Sequence, residues 1–515
     1  MSTTGTERVS ADHVRHARLA LRAAHYDAAL ELLEDCEDWP VEFAERAITL
    51  KAEALSRRDP VAAVGYLATV EDIPTSAEGR FAFALESSRA LGLVRDFDAA
   101  ARRLNDARAL TGSVEHGAER LASYELRLRW NRRQCDVDDP CVTLALTNPD
   151  PTLAASAWQI RAWMHAHNGR FTQQVADLKR SAAFATSPGP EPADVNIIGA
   201  SVYALAQTAF ELADGEGVAA ARTAFEALPW TPDIQTSQFL SLRAFGYDDF
   251  MRGRAGQAQW TFKDARGLAP SAEWRVLAHL DRAYVARMMR NEVWAIEELA
   301  EADRLAREIR WESNFDEARQ ILVILAVLHA PVDAVRAQRY AAIYSKVGLE
   351  NVDPRLAVHG DPRTPAFIKY AQGRIDQTLG RRDSAITLLG ESYEIFERAG
   401  YHYRATLAAS ALAELTADGG WIERAHKHAA AYPDCPLAAV VDEAVAREEA
   451  MPSQLTALQR QIARAIFTGA DAQDLSKRFS RSLYTIEKQI AAVYAAFGVA
   501  SKGALMDEAR RRRLI

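Results

Sequence analysis

Residues 455–515 read LTALQRQIARAIFTGADAQDLSKRFSRSLYTIEKQIAAVYAAFGVASKGALMDEARRRRLI, and each of their turns carries a helix signal. Thr456 and Gln459, three residues apart, form a capping box at the start of a first helix. Gly469 ends that helix, and Asp471 can cap a second one. Short helices joined by tight turns predict an all-α module of the helix-turn-helix kind.

Two further helices follow in the same stretch. Ser482 stands where a third helix needs an N-cap, and Gly498 stands where that helix needs a residue that accepts positive φ. Ser501 repeats the N-cap signal before a short fourth helix through Leu505. The stretch therefore predicts a block of four helices.

This four-helix block resembles the LuxR-type (NarL/FixJ) DNA-binding domain, and the alignment needs no gap. The matching positions are Leu455, Thr456, Arg460, Ile462, Gly469, Leu475, Phe479, Ser482, Thr485, Ile486, Ile490, Val493, Phe497, Gly498, Val499, Ser501, Ala504 and Ala509. The resemblance implies that the helix beginning at Leu483 enters the major groove of DNA.

The resemblance also implies roles for side chains. Base-reading positions would be Glu487, Lys488, Gln489 and Ala491, with Glu487 accepting from cytosine and Lys488 donating to guanine. Contacts to the DNA backbone are implied for a second, mainly basic set: Lys477, Arg478, Arg481, Tyr484, Thr485 and Lys502.

The opposite side of the same helix is apolar. Ile486, Ile490, Val493 and Phe497 lie on that stripe and are predicted core residues. The resemblance further implies dimerisation through the fourth helix, residues 502–513. The four arginines at 510–513 would have to face outward in such a dimer.

Seven positions depart from the family pattern, and three of them, Ala472, Gln473 and Asp474, replace an Asn-Lys-Glu run. Gln459 and Gln461 replace paired glutamates, Gln489 replaces a histidine, and Ala496 replaces a near-constant lysine. They keep a second interpretation open, in which the domain retains the fold without DNA readout.

Upstream, from Ala11 to about Tyr432, the chain repeats one sequence pattern. The pattern consists of an amphipathic helix, a short turn with Gly, Asn or Asp, an aromatic or aliphatic residue, and Ala three residues later in a second helix. The clearest copy, RGRAGQAQWTFKDARGLAP at 252–270, resembles a tetratricopeptide unit. Its matching residues are Gly253, Ala258, Phe262, Ala265 and Pro270. We expect ten or eleven such hairpins of roughly 34 to 45 residues, stacked as an α-solenoid.

The predicted domains are a tetratricopeptide-like sensor or interaction solenoid at 11–432, a connecting helix and hinge at 433–454, and the LuxR-type module at 455–515. No alternating apolar run competes with the helical period, so the predicted fold class is all-α. Longer loops are expected where Pro, Gly and Asp cluster, at 131–142, 187–196 and 351–367.

Composition and charge fit this plan. A chain of 515 residues with 49% hydrophobic and 26% charged residues belongs to a folded protein. From Leu455 onward there are eleven Lys and Arg against five Asp and Glu, whereas the whole chain has a net charge of −8. A basic tail suited to phosphates therefore follows an acidic body. No apolar run approaches the ~20 residues that span a bilayer, and no secretory signal is seen, so a cytoplasmic location without membrane contact is predicted.

Motifs for catalysis and cofactors are missing. No G-x-x-x-x-G-K-[ST] phosphate loop occurs, and no nucleophile motif is recognisable. The four cysteines, Cys36, Cys135, Cys141 and Cys435, lack C-x-x-C spacing. We therefore predict no metal, no cofactor, no catalytic residue and no enzymatic activity.

One predicted helix suggests a ligand groove within the solenoid. Trp158, Trp163, His165 and His167 lie on it and could line a concave surface. Alternatively, the two tryptophans pack one hairpin on the next.

Together these patterns predict a sequence-specific DNA-binding transcriptional regulator whose helical repeats sense a protein, peptide or small-molecule effector. The expected partners are double-stranded DNA, this effector, RNA polymerase and a second copy of the chain. The alternative is a protein-interaction scaffold whose degenerate helix-turn-helix serves dimerisation or docking.

Overall fold

The computed structural model describes most of the chain, namely residues 3–187, 192–311, 316–330, 332–347, 363–416, 418–432, 434–437, 450–467, 470–479, 481–512 and 514. Every regular element in these ranges is an α-helix or a 3-10 turn, which confirms the predicted all-α class. The chain divides into two compact units. The first contains Met1–Phe210, Asp214–Phe245 and Asp264–Pro270, and the second contains Glu211–Ala213, Gly246–Lys263 and Ser271–Ile515.

The first unit is a series of helical hairpins. Its helices are α1 Thr3–Arg22, α2 Tyr26–Leu32, α3 Val41–Arg58, α4 Pro60–Thr69, α5 Ala77–Leu93, α6 Phe97–Arg108, α7 Gly117–Asn131, α8 Pro140–Leu146, α9 Pro151–His167, α10 Phe171–Ala182, α11 Val195–Glu211 and α12 Gly215–Ala227. Parts of α13 Gln235–Met251 and α14 Ala255–Gly267 belong to each unit.

Successive hairpins of the first unit stack through their first helices. Helix α1 packs on α3, α3 on α5, α5 on α7, and α7 on α9. The second helix of each hairpin packs on its own first helix, as in α5 with α6 and α9 with α10. The odd-numbered helices α1 to α9 thus form one continuous layer.

Short polar residues start many of these helices, as the repeated turn predicts. Asp59, Asp96, Asp150 and Asp214 each accept a hydrogen bond from a backbone amide in the first turn of α4, α6, α9 and α12. Such N-caps satisfy amides that have no partner inside the helix.

The ends of the first helices share a second feature. In eight hairpins of the described chain, the residue two positions after the first helix has positive φ. These residues are Ala24, Arg95, Arg133, Gly169, Ala213, Gly253, Arg290 and Gly380. The repeated left-handed residue ends each first helix in the same way, because this conformation lets following amides bond back to the last turn.

The second unit continues the hairpin series. Its further repeat helices are α15 Ala272–Met288, α16 Glu292–Ala306, α17 Asp316–His329, α18 Ala334–Val347, α19 Arg363–Thr378, α20 Arg382–Ala399, α21 His402–Thr416 and α22 Gly419–Ala429. Helix α15 packs on α17, α17 on α19, and α19 on α21. The described helices α1 to α22 make eleven hairpins, in agreement with the predicted ten or eleven.

The clearest predicted repeat is also the clearest in the structure. Ala258, Phe262 and Ala265 on α14 are fully or almost fully buried. Gly253 has a φ of +73°, and a Cβ placed on Gly246 of α13 would lie 2.8 Å from the ring of Phe262. Small residues let the two helices of this hairpin approach closely, as the pattern predicts.

Residues 450–514 end in four short helices, α23 Ala457–Phe467, α24 Ala472–Phe479, α25 Leu483–Phe497 and α26 Lys502–Arg511. Their shared core consists of aliphatic and aromatic side chains: Met451, Leu455, Ile462, Ala463, Ala465, Ile466, Leu475, Ile486, Val493, Phe497, Leu505, Ala509 and Leu514.

The predicted caps of this block are present. Thr456 and Gln459 exchange the two hydrogen bonds of a capping box. Ser482 accepts from the Thr485 amide, and Gly498 ends α25 with a φ of +69°. Asp471 and Ser501 likewise cap α24 and α26.

The structure contains only some of the predicted loops. Residues 132–139 connect α7 to α8 without helix, as expected. The predicted loop 351–367 is wrong from Arg363 onward, where α19 begins, because Pro365 in a first helical turn is tolerated. Within 187–196, helix α11 begins at Val195. The predicted helix at 437–449 and the predicted stop at Gly469 lie almost wholly outside the described residues.

In the described parts of the chain, no single helix combines the length and apolarity needed to cross a membrane.

Candidate functional site

The predicted base-reading helix is α25, and its two sides differ as expected. Ile486, Val493 and Phe497 are buried and Ile490 is half-buried. The other side is open: Glu487, Lys488 and Ala491 are exposed, and Tyr484 is 77% exposed. The Ser482 cap fixes the N-terminal end of the helix, where this exposed face begins.

Other predicted DNA-contacting residues have partners inside the block. Gln459 Nε2 donates to Gln489 Oε1 over 3.0 Å, which holds the half-buried Gln489 against α23. Lys502 Nζ donates to the carbonyl oxygen of Ala470 at 3.0 Å. Thr485 Oγ1 lies 2.8 Å from Ser482 Oγ.

The remaining predicted contacts lie nearby. Arg481 is exposed, and its backbone exchanges hydrogen bonds with Ser476. Lys477 and Arg478 belong to α24, but their side chains lie outside the described residues.

The arginines after α25 are largely balanced by acids on their own helix. Arg510 pairs with Asp507 at 2.8 Å, and both Arg511 and Arg512 reach Glu508 at 2.6 Å. Hydrogen bonds from Arg511 and Arg512 lower the pKa of Glu508 to about 2. A second copy would thus meet ion pairs at these three positions rather than bare positive charge.

The first unit contains a groove of about 1560 Å³. The layer of odd-numbered helices supplies most of its surface. Its charged lining residues are Arg15, Arg18, Arg22, Glu42, Glu45, Arg46, Glu53, Arg57, Glu78, Glu86, Arg89, Glu115, Arg120, Arg127 and Asp150. This density of charge distinguishes the groove from an apolar core.

Ion pairs in this groove form both within a helix and between helices. Arg22 Nη2 lies 3.0 Å from Asp150. Arg89 Nη2 lies 2.7 Å from Glu86, and its Nη1 lies 3.6 Å from Glu53. These bonds join α1 to α9 and α3 to α5.

Two further arginines of the groove differ in their partners, since Arg57 meets a carboxylate and Arg127 a hydroxyl. Arg57 Nη2 is 2.5 Å from the fully buried Asp194. Arg127 Nη2 donates to Ser156 Oγ over 2.6 Å, joining α7 to α9.

Burial and neighbouring charge act on the carboxylates in opposite directions. Burial disfavours the charged form of Glu53, whereas the guanidinium groups around it, led by Arg89, favour that form. The guanidinium groups have the larger effect, so the pKa of Glu53 is lowered. Burial raises the pKa of Glu86 despite the same Arg89. Tyr124 donates a hydrogen bond to Glu86 from α7. The two acids therefore share one arginine.

The groove contains different residues of α9 from those predicted. Thr152, Leu153 and Ser156, in the N-terminal half of the helix, line it. Trp158, Trp163, His165 and His167 lie further along and are not among its lining residues.

Each of these four predicted side chains packs elsewhere. Trp158 lies under the guanidinium groups of Arg161 and Arg180, both 4.4 Å from the ring centroid. Trp163 and His167 contact Trp130 of α7, with centroids 6.5 and 6.4 Å apart.

His165 is buried and lies 3.5 Å from Asp177 of α10. Burial lowers the pKa of His165. Trp163 and His167 thus contact the preceding hairpin, whereas Trp158 and His165 contact residues of their own hairpin.

Among the residues that the structure describes, one group of side chains has donor atoms close enough to hold a metal ion. Cys135, Asp139 and Cys141 have ligand atoms within 4.8 Å of one another, and the two sulfurs are 3.9 Å apart. Arg129 Nη2, however, lies 2.5 Å from Asp139, and its Nη1 lies 3.5 Å from the Cys141 sulfur. A fixed positive charge on two of the three donors opposes a cation there.

No family model and no curated protein matches the sequence. Among solved structures, the apo form of the quorum sensor NprR from B. thuringiensis aligns with a TM-score of 0.40 and 11% identity, covering 75% of this chain and 97% of NprR. A Rap protein complexed with Competence and Sporulation Factor aligns with a TM-score of 0.36 and 13% identity, covering 70% of this chain and 96% of Rap.

Proposed function

We propose that the chain is a non-enzymatic, DNA-binding transcriptional regulator whose helical repeats bind an effector in the groove of the first unit. The observation that carries the DNA-binding part is the asymmetry of α25. Its apolar stripe is buried against α23, α24 and α26, while Tyr484, Glu487, Lys488 and Ala491 are presented on the open side. A helix-turn-helix needs such an open N-terminal face to reach base edges.

Charge supports the same assignment. The residues from Leu455 onward are net positive in a chain whose net charge is −8. Phosphate attraction supplies most of the affinity of such modules, and base contacts add the sequence preference. Lys488 is the exposed cation on the face of α25 and is the residue we assign to base contact.

The effector-binding part rests on the groove. Its volume of about 1560 Å³ exceeds the several hundred Å³ typical of small-molecule pockets, and its lining mixes charged and polar side chains with apolar ones. Neighbouring repeats each contribute one helix to it. A ligand that contacts several repeats at once would favour one arrangement of those helices, which is the physical basis of sensing.

Selection from a random pool of duplex DNA with the full-length chain tests this function. We expect enrichment of a two-half-site sequence, because a dimer would place two copies of α25 one helical turn apart. Lys488→Ala should remove or redirect the preference at one position of each half-site. The matched control is Lys346→Ala, which removes an exposed lysine at the end of α18.

Equal loss with Lys488→Ala and Lys346→Ala would mean that only general charge is involved. Absence of any enriched sequence would contradict sequence-specific binding.

A second candidate is a scaffold whose terminal block serves docking or dimerisation. The internal pairing of Arg510, Arg511 and Arg512 favours it, because a helix with balanced charge suits a protein contact. This candidate predicts self-association that Lys488→Ala leaves intact, with no salt-dependent affinity for DNA.

A further inference from the structure

The groove contains a guanidinium group that lacks a carboxylate. Arg22, Arg57 and Arg89 each have an acidic partner within 3.0 Å. Arg127 has no carboxylate oxygen within 4.0 Å among the described residues, and its side chain donates to the neutral hydroxyl of Ser156. Its positive charge is therefore left without a direct counterion.

The surroundings make this charge costly. Burial and the nearby guanidinium groups of Arg57 and Arg89 lower the pKa of Arg127 to about 10. The group still carries its proton at neutral pH. A guanidinium group whose direct partner is a neutral hydroxyl favours an anion that can pair with it.

Three acids of the groove are engaged with other groups. Glu53 and Glu86 both approach Arg89, and Glu86 also accepts from Tyr124. Asp150 caps α9 and pairs with Arg22. None of these three acids forms an ion pair with Arg127, and Glu53 and Glu86 act on its charge only from a distance. A carboxylate that enters the groove can therefore supply its direct counterion.

The acids also limit which anion fits. Glu53 and Glu86 lie close enough to raise the pKa of Arg89 through their negative charge. They repel a doubly charged phosphate more strongly than a singly charged carboxylate. A planar carboxylate also matches the fork of a guanidinium group.

The size and lining of the groove indicate what carries the carboxylate. A volume of about 1560 Å³ is larger than a single amino acid requires. Thr49, Asn148 and Ser156 add neutral polar groups along it, which suit the amides of an extended backbone. A short peptide meets both conditions.

We propose that the groove binds a short peptide whose free C-terminal carboxylate forms the ion pair that Arg127 lacks. This inference rests on the proposed function, in which the groove holds the effector. It adds the chemical class of the effector and the residue that recognises its charged end.

The test uses full-length protein and four probes: a random tetrapeptide library with free termini, the same library with amidated C-termini, the twenty free amino acids, and phosphoserine. Thermal shift gives a first ranking, and titration calorimetry on the best free-terminus peptide gives its affinity. Amidation should weaken that affinity about ten-fold or more, because it removes a charge-assisted hydrogen bond. The free amino acids should bind more weakly than the tetrapeptide.

Two variants identify the residue involved. In Arg127→Gln the free acid and the amide should bind equally weakly. The matched control is Arg120→Gln, which removes a guanidinium from the same helix and the same groove, but one that pairs with Glu78 at 2.7 Å. It should retain the preference for the free acid.

Several results would overturn the inference: no shift with any peptide, equal binding of acid and amide by the unaltered chain, a preference for phosphoserine, or a preference for acid that survives in Arg127→Gln. The DNA-selection experiment is carried out on the same protein, and its result is interpreted separately from the peptide experiment. Enrichment of a DNA sequence together with one of these results would contradict the peptide site and leave the DNA-binding function in place.

Discussion

Arg127 Nη2 on α7 lies 2.6 Å from Ser156 Oγ on α9, so a charged group crosses the groove to a neutral partner. Arg89, on the neighbouring helix α5 of the layer, contacts two carboxylates instead. The two arginines line the same groove but differ in how their charge is balanced. That difference yields the first prediction.

Replacing Arg127 by Met should leave the free energy of unfolding unchanged or raise it, because an unpaired charge is removed. Replacing Arg89 by Met should lower it by about 3 kcal/mol, because the buried Glu86 then loses its ion-pair partner. Urea denaturation followed by circular dichroism measures both. Similar losses in the two variants would show that Arg127 is a structural arginine like Arg89.

Gly246 tests the packing of α13 on α14. A Cβ there would lie 2.8 Å from the ring of the buried Phe262, so Gly246→Ala should destabilise the chain by about 1 to 3 kcal/mol. Gly256 is the control, because a Cβ at that position on α14 meets open space. Gly256→Ala should stabilise by up to about 1 kcal/mol through helix propensity. Equal melting temperatures for the two variants would refute close packing at Gly246.

Ser482 fixes the start of the proposed recognition helix. Its hydroxyl accepts from the Thr485 amide, and loss of such a cap costs about 1 kcal/mol. We expect Ser482→Ala to speed hydrogen exchange in the first turn of α25 about five-fold. Ser453→Ala, at an exposed position before α23, should leave exchange in α25 unchanged. Unchanged exchange in both variants would mean that tertiary packing alone holds this end.

A histidine pair in the second unit should make stability depend on pH. The Nδ1 atoms of His402 and His428 lie 3.2 Å apart, and burial lowers the pKa of both side chains. Lys427 lowers both further, and Glu397 opposes this at His428. The unfolded chain therefore binds protons that the folded pair does not accept. The stabilisation is complete above about pH 6.5 and is lost as the pH falls below it.

His428→Gln should flatten this acid-side loss, measured as the difference in urea midpoint between about pH 7.5 and about pH 5.5. His426→Gln, which changes an exposed histidine on the same helix, should retain the full difference. A steeper loss in His428→Gln than in the unaltered chain would reverse the sign of the proposed linkage.

Local chemistry explains what could be predicted from the sequence. The capping box of Thr456 and Gln459, the Ser482 cap and the Gly498 end of α25 are decided by neighbouring residues, and the structure contains all of them. Gly253 could likewise be expected in a turn. Arg95, by contrast, takes the same left-handed conformation without any sequence signal, because closure of its hairpin imposes it.

The groove, by contrast, could not be predicted from the sequence. Arg22, Glu53, Arg89 and Arg127 come from four different helices, so no sequence spacing relates them. One local sign was available: residues 86–89 form a polar run that is buried in the middle of α5. A run of buried polar residues in a repeat helix indicates an internal charged surface. The tryptophans and histidines that the sequence suggests for a groove lie on α9, beyond the part of this helix that lines the groove.

The most direct test of the central claim is the affinity of full-length protein for its selected duplex across a salt series from about 50 to about 200 mM. We predict an affinity that falls steeply with salt and that Lys488→Ala reduces on the selected duplex, by about ten-fold, much more than on a scrambled one. Lys346→Ala should match the unaltered chain on both. Affinity that is independent of salt, or equal for the selected and scrambled duplexes in every variant, would contradict a DNA-reading role for α25.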